Sequence, residues 1–189
     1  MKAAVRMYYY QRINSDKVQP YADARWTDGA AFMGNNQDTE CHAVWDKTNA
    51  NLVRDLSGGW MDAGDVNKYV TFAEGAVHEL LLAYELNPQV FGDDYNIPES
   101  GNDIPDILDE IKYEIDWIKK MQDTLDGGVF IKMGEINYNG SHPLSSDTRP
   151  RYYGPKCSSS AISAAGMFAH AAIVFSSLPA LNQYADDLK

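Results

Sequence analysis

Val70, Ala73, Val77, Leu80 or Leu81 and Tyr84 fall on one face at helical spacing. They predict a helix that is entered after Asp65, runs to about Leu86 and is ended by Asn87-Pro88, because a residue before proline is driven out of the helical region. After a polar loop over 90–101, a second helix is predicted with Asp103 as N-cap and Pro105 in its first turn, where the missing N–H does no harm. Ile104, Ile107, Leu108, Ile111, Ile115 and Ile118 make its apolar face. Tyr113 and Trp117 lie four apart on the opposite face, so this helix is expected to have neighbours on two sides.

Asp126-Gly127-Gly128 marks a turn, residues 129–133 a short strand, and the segment to Pro155, with its prolines and the dipeptide Asn139-Gly140, a loop. The small-residue run 158–175 reads as a tightly packed helix capped by Ser158 or Ser159, with His170 as a packed histidine. Residues 179–189 start a further helix with Leu181, Tyr184 and Leu188 on one face. Residues 2–11 read as a short helix, although Tyr8-Tyr9-Tyr10 suits a strand equally well. Residues 13–54 hold no sustained period and read as long loops, which in a folded domain are usually functional or mobile. No internal repeat is evident.

Composition narrows the classes of function. With 189 residues, 44% of them hydrophobic, the chain can bury a core, and one domain is the default. A net charge of −11 repels phosphate backbones and anionic lipid, so neither nucleic acid nor a membrane surface is an expected partner. Neutral polysaccharide is compatible. No run approaches the roughly 20 apolar residues of a membrane span, and the N-terminus lacks the long apolar core of a signal peptide. Cys41 and Cys157 permit at most one disulfide and leave the redox compartment open.

The candidate chemistry lies in Asp55-Leu-Ser-Gly-Gly-Trp-Met-Asp-Ala-Gly-Asp-Val-Asn-Lys-Tyr-Val70. Three glycines, Gly58, Gly59 and Gly64, indicate a bent or closely approached backbone. Asp62 and Asp65 precede the first apolar pattern, which places them in a loop feeding a helix N-terminus, where free N–H groups favour ionised carboxylates. Taken alone, Asp65 also reads as an N-cap and Asp62 as a turn residue. The alternating ligands of an EF-hand loop are absent.

The whole string resembles the signature of the family 9 glycoside hydrolases, the inverting cellulases. Three further stretches resemble that family in the same order: Tyr8-Tyr-Tyr-Gln-Arg12, Ile97-Pro-Glu-Ser-Gly-Asn-Asp-Ile-Pro-Asp-Ile-Leu-Asp-Glu110 and Asp147-Thr-Arg-Pro-Arg-Tyr-Tyr-Gly-Pro155. The resemblance implies an all-α fold, an (α/α)6 toroid of helical hairpins with long loops. About four or five helices are legible, so residues 1–189 are expected to be the N-terminal part of a single catalytic domain, with apolar faces left at the cut edge and self-association through that edge as a consequence.

By resemblance, Asp65 matches the general base and Asp62 the aspartate that helps hold the attacking water. The family's acid is a glutamate far toward the C-terminus, expected beyond Lys189; Glu99, Glu110, Glu114 and Glu135 carry no motif that would make them the acid. The implied function is hydrolysis of β-1,4-glucosidic bonds in cellulose or related β-glucans with inversion, by an enzyme expected to be extracellular, with the 189 residues alone inactive or nearly so. A non-catalytic carbohydrate-binding fragment and an exo-acting glucosaminidase of the same family are the alternatives. Trp60 is a candidate to stack on a sugar ring or to pack the loop down, and Arg151 to bond sugar hydroxyls or to sit as a surface arginine. No cofactor is expected. Zinc in relatives is implied at four places; here Cys41 and His42 stand at two of them and Ile13 and Met61 at the others, too few ligands for a tetrahedral structural site. No cluster assignable to calcium is found.

Overall fold

The computed structural model describes residues 1–137 and 141–189, so the Asn139-Gly140 dipeptide lies outside the described residues. Five α-helices carry the fold: α1 (Lys2–Gln11), α2 (Val70–Leu86), α3 (Asp106–Met121), α4 (Ser158–Phe175) and α5 (Asn182–Asp187). α2 packs against both α3 and α4, and α1 packs against α3. Val70, Val77, Leu81 and Tyr84 are the buried residues of α2, the face read from the apolar period.

α3 is buried on more sides than its isoleucine stripe requires. Ile107, Leu108, Ile111, Ile115 and Ile118 enter the core together with Trp117, and the Tyr113 hydroxyl donates to the Ile13 carbonyl at 2.5 Å. Four carboxylates of the same helix, Asp106, Asp109, Glu110 and Glu114, are also buried. Buried charge is tolerated only when it is paired or hydrogen-bonded. Arg12 Nε donates to Glu110 at 3.0 Å and its other guanidinium nitrogens donate to Glu99 at 2.9 Å. The Tyr95 N–H donates to Asp106 at 2.5 Å, and Asn102 donates to Asp109 at 3.2 Å.

Helix boundaries differ from expectation at two entrances. α3 opens at Asp106 behind Pro105, whereas Asp103 lies earlier with a positive φ of 68° and donates its own N–H to Asp93. α4 is capped by Cys157, whose sulfur accepts the Ser160 N–H at 3.5 Å, rather than by Ser158 or Ser159. α4 has 18 residues with a mean hydropathy of 1.4, long and apolar enough to cross a membrane by that measure. Ala164, Met167, Ala171, Ala172, Val174 and Phe175 are its buried apolar residues. His170 stacks on His78 of α2, with ring centroids 5.1 Å apart, and its Nε2 lies 2.9 Å from Glu85. Ile162 and Ile173 on α4 and Phe72 on α2 are exposed.

The expectation of an all-α fold needs one correction. A small mixed sheet of β1 (His42–Ala43), β2 (Lys68–Tyr69), β3 (Lys132–Gly134) and β4 (Tyr152–Tyr153) is present, in the order β1-β4-β3-β2. β1 and β4 are parallel and the other two pairs antiparallel, with Lys68 opposite Met133 and His42 opposite Tyr152. The strand expected over 129–133 is found as β3, shifted to Lys132–Gly134, whereas strands of two residues show no usable alternation, so β1, β2 and β4 have no sequence signal of their own. Its effect is to gather segments far apart in sequence beneath the loop that carries Asp62 and Asp65.

Candidate active site

The loop begins where the chain runs antiparallel to the end of α1: the Ile13 N–H donates to the Gly59 carbonyl and the Met61 N–H to the Gln11 carbonyl, both at 2.8 Å. It closes six residues on, the Asp62 N–H donating to the Asn67 carbonyl at 2.8 Å. Between them the Val66 N–H returns to the Ala63 carbonyl at 2.9 Å. Only then come β2 and, at Val70, the helix. The two aspartates are therefore separated from the N-terminus of α2 by a strand, and the helix-end N–H groups expected to hold them are not their partners. Asn67 takes that role: its side-chain amide donates to Asp65 Oδ2 at 3.0 Å and its backbone N–H lies 3.4 Å from Oδ1.

Asp62 is exposed and Asp65 half-buried. Partial desolvation and the neighbouring Asp65 charge raise the pKa of Asp62 above the ordinary aspartate value. Two carboxylates close enough to repel, both open to solvent, can share a water between them. A cavity of about 170 Å³ lies against the loop, with Trp60, Asp62, Tyr69, Phe72 and Glu114 in its wall. A larger groove of about 500 Å³, walled by Tyr10, Lys17, Trp26 and His142 among others, contains neither aspartate. The chemistry is assigned to the loop because it holds the paired carboxylates, not because of cavity size.

Trp60 serves mainly to pack the loop. It is 6% exposed, its ring lies 4.6 Å from that of Tyr8, and its backbone N–H donates to Glu114 at 2.6 Å. Arg151 is fully buried, 0% exposed, so the sugar-hydroxyl contact expected from the resemblance is not open to it in this structure. Its partners lie under the loop. Among the other glutamates, Glu99 and Glu110 are held by Arg12 and Glu135 by Arg149 at 2.6 Å. Glu114 is buried by α3 and the loop, and that burial pushes its pKa up to about 8.

A carboxyl whose pKa is higher in the folded than in the unfolded chain holds its proton more tightly when folded, so its contribution is present at low pH and is lost as pH rises from about 4.5 toward about 8. The denaturant midpoint is accordingly expected to fall between these limits. Glu114→Gln, which keeps an oxygen for the Trp60 N–H, should remove a decline of up to about 1.4 kcal/mol per pH unit. Chemical denaturation of both proteins at pH 5 and pH 8 checks this, and an unchanged pH slope in the variant would refute it.

The residues at the implied zinc positions do not fit that ion. Ile13 and Met61 pack with Ala31, Phe32 and Val66 in an apolar cluster beside the loop. Cys41 is buried, its thiol pushed up to about 12 by desolvation, and its sulfur lies 3.5 Å from the Arg151 carbonyl. Among the described residues, no group of three or more His, Cys, Asp or Glu side chains converges as a metal site.

Comparison with known proteins gives the same family along the whole chain. The profile of Glycosyl hydrolase family 9 matches residues 1–189. The xyloglucan-specific endo-beta-1,4-glucanase BoGH9A of Bacteroides ovatus is 32% identical over 176 residues, 93% of this chain and 30% of that protein. A metagenome-derived family 9 endoglucanase superposes with a TM-score of 0.86 at 32% identity, over 99% of this chain and 33% of that structure. AaCel9A in complex with cellobiose-like isofagomine gives a TM-score of 0.82 at 27% identity, over 99% and 34%. The chain thus spans about a third of the length of the relatives it matches. With the paired aspartates on their closed loop and the match running from the first residue to the last, this chain belongs to glycosyl hydrolase family 9.

Proposed function

We propose that the protein to which these residues belong hydrolyses β-1,4-glucosidic bonds of a β-glucan with inversion, and that residues 1–189 form the N-terminal part of its (α/α)6 domain. The observation that carries this reading is the pair Asp62 and Asp65 on one short, closed, solvent-facing loop. Asp65 is the base: an ionised carboxylate takes a proton from water as its oxygen attacks the anomeric carbon. Asp62 shares that water and aligns it. In an inverting enzyme the water approaches the face opposite the departing oxygen, which needs an acid roughly 6.5–9.5 Å from the base. The family resemblance assigns the acid to a glutamate far toward the C-terminus of the domain, outside these residues; Arg12 holds Glu99 and Glu110 and Arg149 holds Glu135, which fits that assignment.

The relatives named for β-1,4-glucanase action and for a cellobiose-like ligand support the substrate class. The test is the configuration of the first product. Proton NMR of a cello-oligosaccharide digest by the full-length protein should show the α-anomer forming before mutarotation; first appearance of the β-anomer would mean retention and would overturn the reading.

A further inference from the structure

Between the proposed base and the residue that bonds it sits Val66, at φ +57° and fully buried. A β-branched residue in the left-handed region is a backbone outlier, and such strain persists only where surrounding structure holds it. Here the holder is visible. Arg151 Nη1 donates to the Val66 carbonyl at 2.9 Å, its Nε donates to Asp38 at 2.5 Å, and its guanidinium lies 3.9 Å above the Phe32 ring. Asp38 in turn accepts from Lys68 Nζ at 3.0 Å, and Lys68 also donates to the carbonyls of Leu56 at 3.0 Å and Gly58 at 2.6 Å. Arg151, Asp38 and Lys68 are all fully buried. This is one paired network that grips the chain at three carbonyls, Leu56 and Gly58 where it leads into the loop and the strained Val66 within it.

On the loop itself, Asn67 is 0% exposed and its Oδ1 has no hydrogen-bond partner. That oxygen is packed against Gly134, where any Cβ would overlap it. The amide is thereby turned so that its nitrogen faces Asp65.

We infer that Arg151, Asp38 and Lys68 are positioning residues for Asp65: they hold the strained Val66 turn from below while Asn67, seated against Gly134, fixes the carboxylate from the side. The inference rests on the reading of Asp65 as the base. From Arg151 the guanidinium reaches Asp38 with Nε and the Val66 carbonyl with Nη1, two nitrogens set apart in a rigid fork, whereas an ammonium presents all its donors from one atom, so Arg151→Lys keeps the charge and loses that spread grip. A misplacement of the order of 1 Å costs about 100-fold in rate.

The experiment compares Arg151→Lys in two backgrounds of the full-length protein. With Val66 present, kcat on cello-oligosaccharide is expected to fall about 10- to 100-fold with KM within about twofold. Glycine adopts a φ of +57° without strain, so in the Val66→Gly background the same change is expected to lower kcat less than about threefold. Equal losses in both backgrounds, or an unchanged kcat in the first, would overturn the inference. Where Arg151→Lys yields no folded protein, Asn67→Ala decides: it leaves the Arg151–Asp38 pair intact and removes the amide bond to Asp65 Oδ2, keeping only the backbone N–H 3.4 Å from Oδ1, and an unchanged kcat refutes the positioning role. Asp65→Asn separates the two readings. If that variant keeps turnover, the base assignment fails and the positioning falls with it; if it is inactive while Arg151→Lys turns over normally, only the positioning fails.

Discussion

Asp65→Asn is expected to lower kcat on soluble β-glucan by about 10³-fold, the middle of the range for loss of a general base. The substitution is nearly isosteric, and the amide oxygen can keep the bond from Asn67 Nδ2 that now goes to Asp65 Oδ2. What is lost is basicity, since an amide does not take a proton from water. KM and the thermal midpoint should therefore stay close to those of the parent, which separates loss of chemistry from loss of fold. Steady-state kinetics and a melting curve on the full-length protein check it. A kcat within a few-fold of the parent would remove Asp65 from the mechanism.

The second large effect is on stability. Gly59 has φ +77°, and a Cβ built on it would lie 2.6 Å from Trp117 Cγ and 2.8 Å from Cδ2. Trp117 is 1% exposed and has no room to retreat. Nor can the backbone give way, because the Gly59 carbonyl accepts the Ile13 N–H that pairs the loop with α1. A left-handed alanine costs roughly 1–2 kcal/mol, and forcing a methyl into a packed site typically costs about 1–3 kcal/mol more. Gly59→Ala should therefore destabilise by about 2–5 kcal/mol, a large part of the total stability of an ordinary domain. Gly64 is the control: a Cβ placed on it would meet no atom within 4 Å, and its φ is not in the left-handed region. Gly64→Ala should stay within about 0.5 kcal/mol, as surface changes usually do. Denaturant midpoints of the two variants measure the contrast, and equal shifts would mean that the Trp117 contact does not explain the glycine.

These two positions show how far the motif alone carries. Glycines at 58 and 59 announce an unusual backbone, but that Gly59 is required by Trp117 and Gly64 by nothing within the described residues is a matter of what packs there. Similarly, a short-range reading assigns Asp62 and Asp65 to a helix entrance because the apolar period begins just after them. Two residues of β2 intervene, paired with Met133 and Lys132, and the carboxylate partner becomes Asn67.

What the sequence determined by itself is the local and periodic part. The apolar face of α2, the doubly buried α3 and the small-residue α4 follow from spacing and side-chain size, which act over one or two turns, while for α1 the sequence allowed helix or strand and the structure shows the helix. The paired aspartates and their family follow from a contiguous string. Tertiary structure alone decided the pairing of four short strands into a sheet, of which only β3 had been legible, the buried carboxylates of α3 and the place of Arg151. Arg151 lies 113 residues from Asp38 and 85 from Val66, and no local pattern distinguishes an arginine bound for solvent from one that will find a buried carboxylate. Its position is set by β4 and by the desolvation that a charge inside the protein must offset with a partner.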